Sequence, residues 1–108
     1  MKLLTRAEET LLLIIWRLQH EAYGVKIREL VEEQTGQKMA FGAIFVTLDR
    51  MVKNELLNSY LTEPTAERGG RSKRIYQLTS DGKKALVESR KVQNSLWNGI
   101  DDLSLETK

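Results

Sequence analysis

The stretch that most restricts what this chain can fold into is Met39–Asn54, MAFGAIFVTLDRMVKN. Wound as a helix, it gathers Phe41, Ile44, Phe45, Leu48, Met51 and Val52 on one face. Gly42, Ala43, Val46, Arg50 and Lys53 gather on the other. This second face is slim at its start, cationic towards its end and only weakly polar, which is unusual for a surface turned to water. It suits a helix that enters the major groove of double-stranded DNA. The same pattern would serve a core helix in any small domain, so the flanking segments decide.

On the N-terminal side, Thr5 with Glu8 three residues later forms a capping box that opens a first helix. Its body is apolar on every side between Leu11 and Trp16, so it needs cover from two directions. One cover is the domain's own core; the other is a second helix, from this chain or a partner, unless the helix is simply central in a monomer. His20-Glu21-Ala22 breaks the chain, and Tyr23-Gly24 leads into a second helix, VKIRELVEEQ, with Ile27, Leu30 and Val31 inward. Gly36 is placed as a left-handed C-terminal cap. Residues 36–39 then make a short turn into the opening stretch, which is the pattern of a helix-turn-helix. Ala40 is a poor N-cap, and Gly42 either admits a phosphate to the helix start or marks a frayed end.

Beyond Asn54, residues 56–64 favour a strand that stops at the only proline, residues 65–71 form a loop containing Gly69-Gly70, and residues 72–79 form a second strand with Tyr76 and Leu78 on one face. Two strands around a basic, glycine-bearing loop make a wing. Thr79 caps a final helix from Ser80 to about Leu103, and Asn98-Gly99 ends or bends it. Its apolar positions Leu86, Val92, Leu96, Trp97, Ile100 and Leu103 are spaced like a coiled-coil seam, interrupted at Ser89 and Gln93. The spacing predicts a homodimer interface made by Leu11, Leu12, Ile15 and Trp16 with Val92, Leu96, Trp97, Ile100 and Leu103. Trp16 and Trp97 serve either as dimer core or as the walls of a ligand cavity. The expected fold is mainly α with a small β-hairpin: a winged helix-turn-helix over residues 1–79 and a dimerisation helix with a loose tail over residues 80–108.

Composition narrows the function. The chain of 108 residues is long enough for one modest core, and its absence of cysteine excludes disulfides and thiolate metal sites. A reducing compartment, the cytoplasm, is expected, since Leu11–Trp16 is too short to span a bilayer and the first residues are no signal peptide. His20 is the only histidine and sits where a helix dipole favours positive charge. No catalytic or metal-spaced constellation exists, so no enzyme, cofactor or metal is expected. The net charge of +2 is small, but Arg68, Arg71, Lys73 and Arg74 fall within seven residues. With Gly69 and Gly70 they would reach flanking backbone or the minor groove; a solvated hairpin tip is the alternative. Lys38 and Arg50 are candidates for phosphate and base-edge contacts, and Ala43, Val46 and Thr47 for thymine methyls and base edges. Tyr23 and Lys26 lie near a phosphate position, with core packing the equal alternative for Tyr23. A winged-helix module for protein or RNA would carry a neutral wing and an acidic or bulky face, which this sequence does not.

Tyr23-Gly24, the run Gly42–Met51, Leu56-Leu57, Gly69-Gly70-Arg71 and Tyr76–Gly82 together resemble the PadR family of bacterial transcriptional regulators, over roughly residues 8–87. The resemblance is to small members with a single C-terminal dimerisation helix. It implies a homodimeric winged helix-turn-helix, usually a repressor on a pseudo-palindromic operator, in some relatives released by a small aromatic or drug-like effector. The chain departs from that pattern at Phe45, where tyrosine is usual, and at Ala40, where a polar cap often stands. The tryptophan of some drug-binding members is also unmatched: Gln93 occupies that position, with Trp97 one turn later.

Overall fold

The computed structural model describes residues 3–64, 72–100 and 103. Helix α1 (Arg6–Leu18) starts on the predicted capping box. The Thr5 hydroxyl accepts from the Glu8 amide at 3.1 Å, and the Glu8 carboxylate accepts from the Thr5 amide at 2.8 Å. Two otherwise orphaned donors are thereby satisfied. The helix closes at Gln19, whose φ of 53° turns the chain into a tight 3-10 turn over Gln19–Glu21.

Helix α2 (Gly24–Thr35) ends on Gly36 at φ 72°, the left-handed cap expected there. Helix α3 (Phe41–Lys53) follows with no side-chain cap at Ala40. Its Ile44, Leu48 and Met51 are fully buried with Ile27 of α2. Strands β1 (Leu57–Leu61) and β2 (Arg74–Leu78) pair antiparallel, Leu57 opposite Leu78 and Leu61 opposite Arg74. The Tyr76 amide also donates to the Ala22 carbonyl at 2.9 Å, which fastens the hairpin to the connection between α1 and α2. Neighbours Ile75 and Tyr76 are both buried, so β2 is covered on both sides rather than on the single Tyr76–Leu78 face.

Helix α4 (Ser80–Trp97) is capped by Thr79, whose hydroxyl accepts from the Gly82 amide at 2.9 Å and donates to the Glu55 carbonyl at 2.6 Å. It stops at Trp97 rather than near Leu103, with Gly99 at φ 85°. The Ser89 hydroxyl donates to Glu9 at 2.8 Å and pins α4 to α1. Among the described residues beyond Ser89 only Val92 is even half-buried, and the molecule is 61 Å long against 31 and 21 Å across. Helix α1 is thus the central element, covered by α2, α3, β2 and α4 of its own chain. No helix among the described residues is long and apolar enough to cross a membrane.

Glu8 also accepts from Arg50 Nε at 3.2 Å, bracing the start of α1 against α3. Burial pushes its carboxyl pKa up, but hydrogen bonds from Thr5 and Arg50 outweigh this and hold it below the usual 4.5. A depressed folded-state pKa gives stability that is present above the unfolded value and is lost as pH falls through the folded one. Glu8→Gln keeps an acceptor for the Thr5 amide but removes the charge, so it is expected to cost under about 1 kcal/mol at neutral pH, because Arg50 is half-exposed. Thermal melts in a pH series check this: the gap between wild type and variant should narrow below about pH 4.5.

Candidate nucleic-acid interface

The outward surface of α3 is built by Phe41, Gly42, Ala43, Phe45, Val46 and Asp49. Val46 is 63% exposed. Phe41 and Phe45, expected inward, also face out: the core contact runs through Ile44, Leu48 and Met51, which leaves the apolar inward stripe narrower than the helical wheel implied. The Phe45 ring lies across Gly24, so close that a Cβ there would sit 2.8 Å from Cζ, and it stacks beside Phe41 with centroids 6.1 Å apart. A Cβ at the start of α2 would push that ring aside.

One expected α3 contact is corrected and a second is constrained. Thr47 is buried, and its hydroxyl donates to the Ala43 carbonyl at 2.9 Å, so it has no group to offer a base. Arg50 donates from Nε to Glu8 and so braces α1, while its side chain remains 45% exposed. Gly42, Ala43 and Val46 remain open, as do Lys38 in the preceding turn and Lys53 at the helix end. Lys26 is half-buried.

The wing's cations border a groove beside this helix. Lys73 Nζ lies 4.3 Å from the centre of the Tyr23 ring, so Tyr23 is a platform for the wing lysine. Arg74 donates to the Ser59 hydroxyl across the hairpin at 2.9 Å. Tyr23, Gly24, Phe41, Phe45, Lys73 and Arg74 line one groove of about 570 Å³. At its floor, burial and then the Asp49 carboxylate push the Tyr76 phenol pKa above its usual 10.0, opposed by Arg74. Arg68, Gly69, Gly70 and Arg71 lie outside the described residues. Sequence reasoning missed Arg28: its Nε donates to the Met39 carbonyl at 3.2 Å, and its guanidinium lies 4.6 Å over Phe41. One side chain thus holds both the turn and the first residue of α3. Its spacing of 11 residues from Met39 leaves no local signal.

A second surface shares no lining residue with the first. Leu13, Trp16, Leu86, Val87 and Gln93 line a groove of about 620 Å³ between α1 and α4. Leu11, Leu12 and Ile15, expected at a dimer interface, are 0, 0 and 1% exposed. They are core, because the chain's own α2, α3 and β2 take up those faces of α1, and Leu13 (46% exposed) stands out beside Trp16 (50%) instead. Leu96, Trp97, Ile100 and Leu103 are all exposed and Val92 is half-buried. Trp97 does not line the groove; Gln93 does, and Lys83 lies 5.2 Å over the Trp16 ring.

Three helices, a two-stranded hairpin fastened beside them and a cationic margin next to α3 define a winged helix-turn-helix. The model of the PadR-like transcriptional regulator family matches residues 11–88, and the chain belongs to that family. Among solved structures, it is similar to the TA0346 protein of Thermoplasma acidophilum, with 25% identity and a TM-score of 0.70 over 94% of this chain and 95% of that one. A PadR-like transcriptional regulator from Bacillus cereus shares the fold at 22% identity and TM-score 0.67, over 93% and 92% of the two chains. So does a PadR family regulator from Clostridium difficile, at 24% and 0.63, over 89% and 91%. No curated protein matches the chain.

Proposed function

We propose that the protein is a homodimeric repressor that binds a pseudo-palindromic operator and is released by a small aromatic effector. Residues 1–79 act as the DNA-binding unit and residues 80–108 as the dimerisation helix and tail, in the cytoplasm. The observation that carries the reading is the pair of unlike surfaces on one winged helix of this family. One is the α3 groove rimmed by Lys73 and Arg74; the other is the set of exposed apolar side chains on α1 and α4, Leu13 and Trp16 with Leu96 and Trp97. The first suits a phosphate backbone and a major groove. The second exposes two leucines and two tryptophans on a single chain, which suits burial in a two-fold interface. An aromatic effector would stack on Trp16 in the groove between α1 and α4, where a carboxylate would also meet Lys83 and Arg90.

Salt titration of affinity for DNA recovered from the genome by the protein tests the first surface. Log K should fall with log salt at a slope of roughly −0.9 per phosphate contact, and alanine at Arg68, Arg71, Lys73 and Arg74 together should flatten it by about 3–4. A flat salt dependence would sink the reading. Tryptophan fluorescence titrated with aromatic compounds tests the effector: quenching must be accompanied by DNA release, and quenching without release argues against it.

A further inference from the structure

Helix α3 presents almost nothing that can hydrogen-bond to a base. Over its first three turns Phe41, Gly42, Ala43, Phe45, Val46 and Asp49 face outward. The Thr47 hydroxyl is spent on the Ala43 carbonyl and the Arg50 Nε on Glu8. Guanine is read chiefly by a free arginine or lysine fork, and adenine by asparagine or glutamine; no lysine, asparagine or glutamine stands on that part of the helix, and its one arginine, Arg50, is tied through Nε to Glu8. Asp49 can only accept, and phosphates repel it. What remains is methyl-sized apolar surface centred on Val46, the most exposed large hydrophobic side chain of α3. Beside it Ala43 is exposed, and a Cβ built on Gly42 would meet nothing within 4 Å, so a base edge can come up to the helix backbone. Lys73 and Arg74 on the adjoining groove give this apolar face an anionic partner rather than another protein's core.

In the major groove one feature matches such a surface, the C5-methyl of thymine. We propose that α3 selects its half-site through thymine methyl groups packed on Val46 and Ala43, and not through hydrogen bonds to guanine. This rests on the DNA-binding reading above and names the chemistry by which the site is chosen.

Replacing thymine by deoxyuridine removes only the methyl and keeps the pairing edge intact. In duplexes that the protein selects from a random pool, each thymine is replaced in turn and binding is followed by fluorescence anisotropy. One or two positions per half-site should weaken binding about fourfold each, the worth of one buried methyl-sized group. In Val46→Ala the thymine-to-uracil ratio at one of those positions should fall towards one, as a coupled pair requires. Val46 is exposed, so the variant should melt with the wild type, and the melt verifies that. Ratios near one throughout the wild-type series, with binding intact, overturn the methyl reading and leave the DNA-binding one standing. Ratios that persist unchanged in the variant overturn the assignment to Val46. Failure to bind any duplex overturns both readings.

Discussion

Gly82→Ala is expected to lower stability by about 3 kcal/mol, although it places a better helix former in the first turn of α4. Propensity alone would favour alanine by about 1 kcal/mol. The structure reverses the sign, because a Cβ at residue 82 would overlap the Leu56 carbonyl. That carbonyl cannot step aside cheaply. It accepts from the Thr79 amide at 3.1 Å, and Thr79 in turn caps α4 and donates to the Glu55 carbonyl. Three linked hydrogen bonds meet where β1 begins, so relief of the overlap must part α4 from the hairpin. At roughly 4–8 °C per kcal/mol for a domain of this size, the melting temperature should drop by about 12–24 °C. Circular-dichroism melts check it; a variant that melts within a few degrees of wild type would show that α4 is less tightly seated than described.

The second large effect concerns assembly. Leu96→Asp with Trp97→Asp is expected to give a monomer with DNA affinity at least a hundredfold weaker. Both side chains are more than half exposed in the single chain, so their replacement leaves its core intact. In a two-fold dimer the four residues would recover about 4–6 kcal/mol of apolar burial, and eight carboxylate oxygens in their place would oppose association. The affinity loss follows from tethering: a second half-site engaged by a linked partner raises avidity about 10²–10⁴-fold, and a monomer forgoes it. Light scattering at micromolar concentration reads the mass, and anisotropy reads the affinity. A dimer that survives both substitutions would move the interface elsewhere.

Features with a local chemical cause were readable in the sequence. Thr5 and Glu8 three residues apart, Gly36 after an amphipathic run, and Thr79 before Ser80 all behave as caps, since capping depends only on near neighbours. The hairpin and the helix-turn-helix were legible for the same reason. What escaped depends on distant partners. The outward turn of Phe45 requires the space over Gly24, and the Arg50 brace requires Glu8, 42 residues away. Leu11, Leu12 and Ile15 were rightly read as needing double cover, but apolarity does not say whose residues provide it; this chain's own do. Thr47 was nearer to hand. It lies three residues after Ile44 and four before Met51, on the buried stripe, and its hydroxyl could have been expected to turn back onto the helix. The end of α3 was placed at Asn54 by the change of pattern beyond it and lies there, although Glu55 rather than glycine holds the left-handed position, φ 64°.

The central claim is that two copies of this winged helix place their α3 helices in successive major grooves of one DNA. Hydroxyl-radical footprinting of the purified protein on a selected operator tests it most directly. The account predicts two protected half-sites related by dyad symmetry, with centres one helical turn, about 34–36 Å, or a whole multiple of it apart, and flanking protection from the wings. In the Leu96→Asp, Trp97→Asp variant that paired pattern should be lost. A single protected patch with no dyad, or a paired pattern that persists in the monomer, would contradict it.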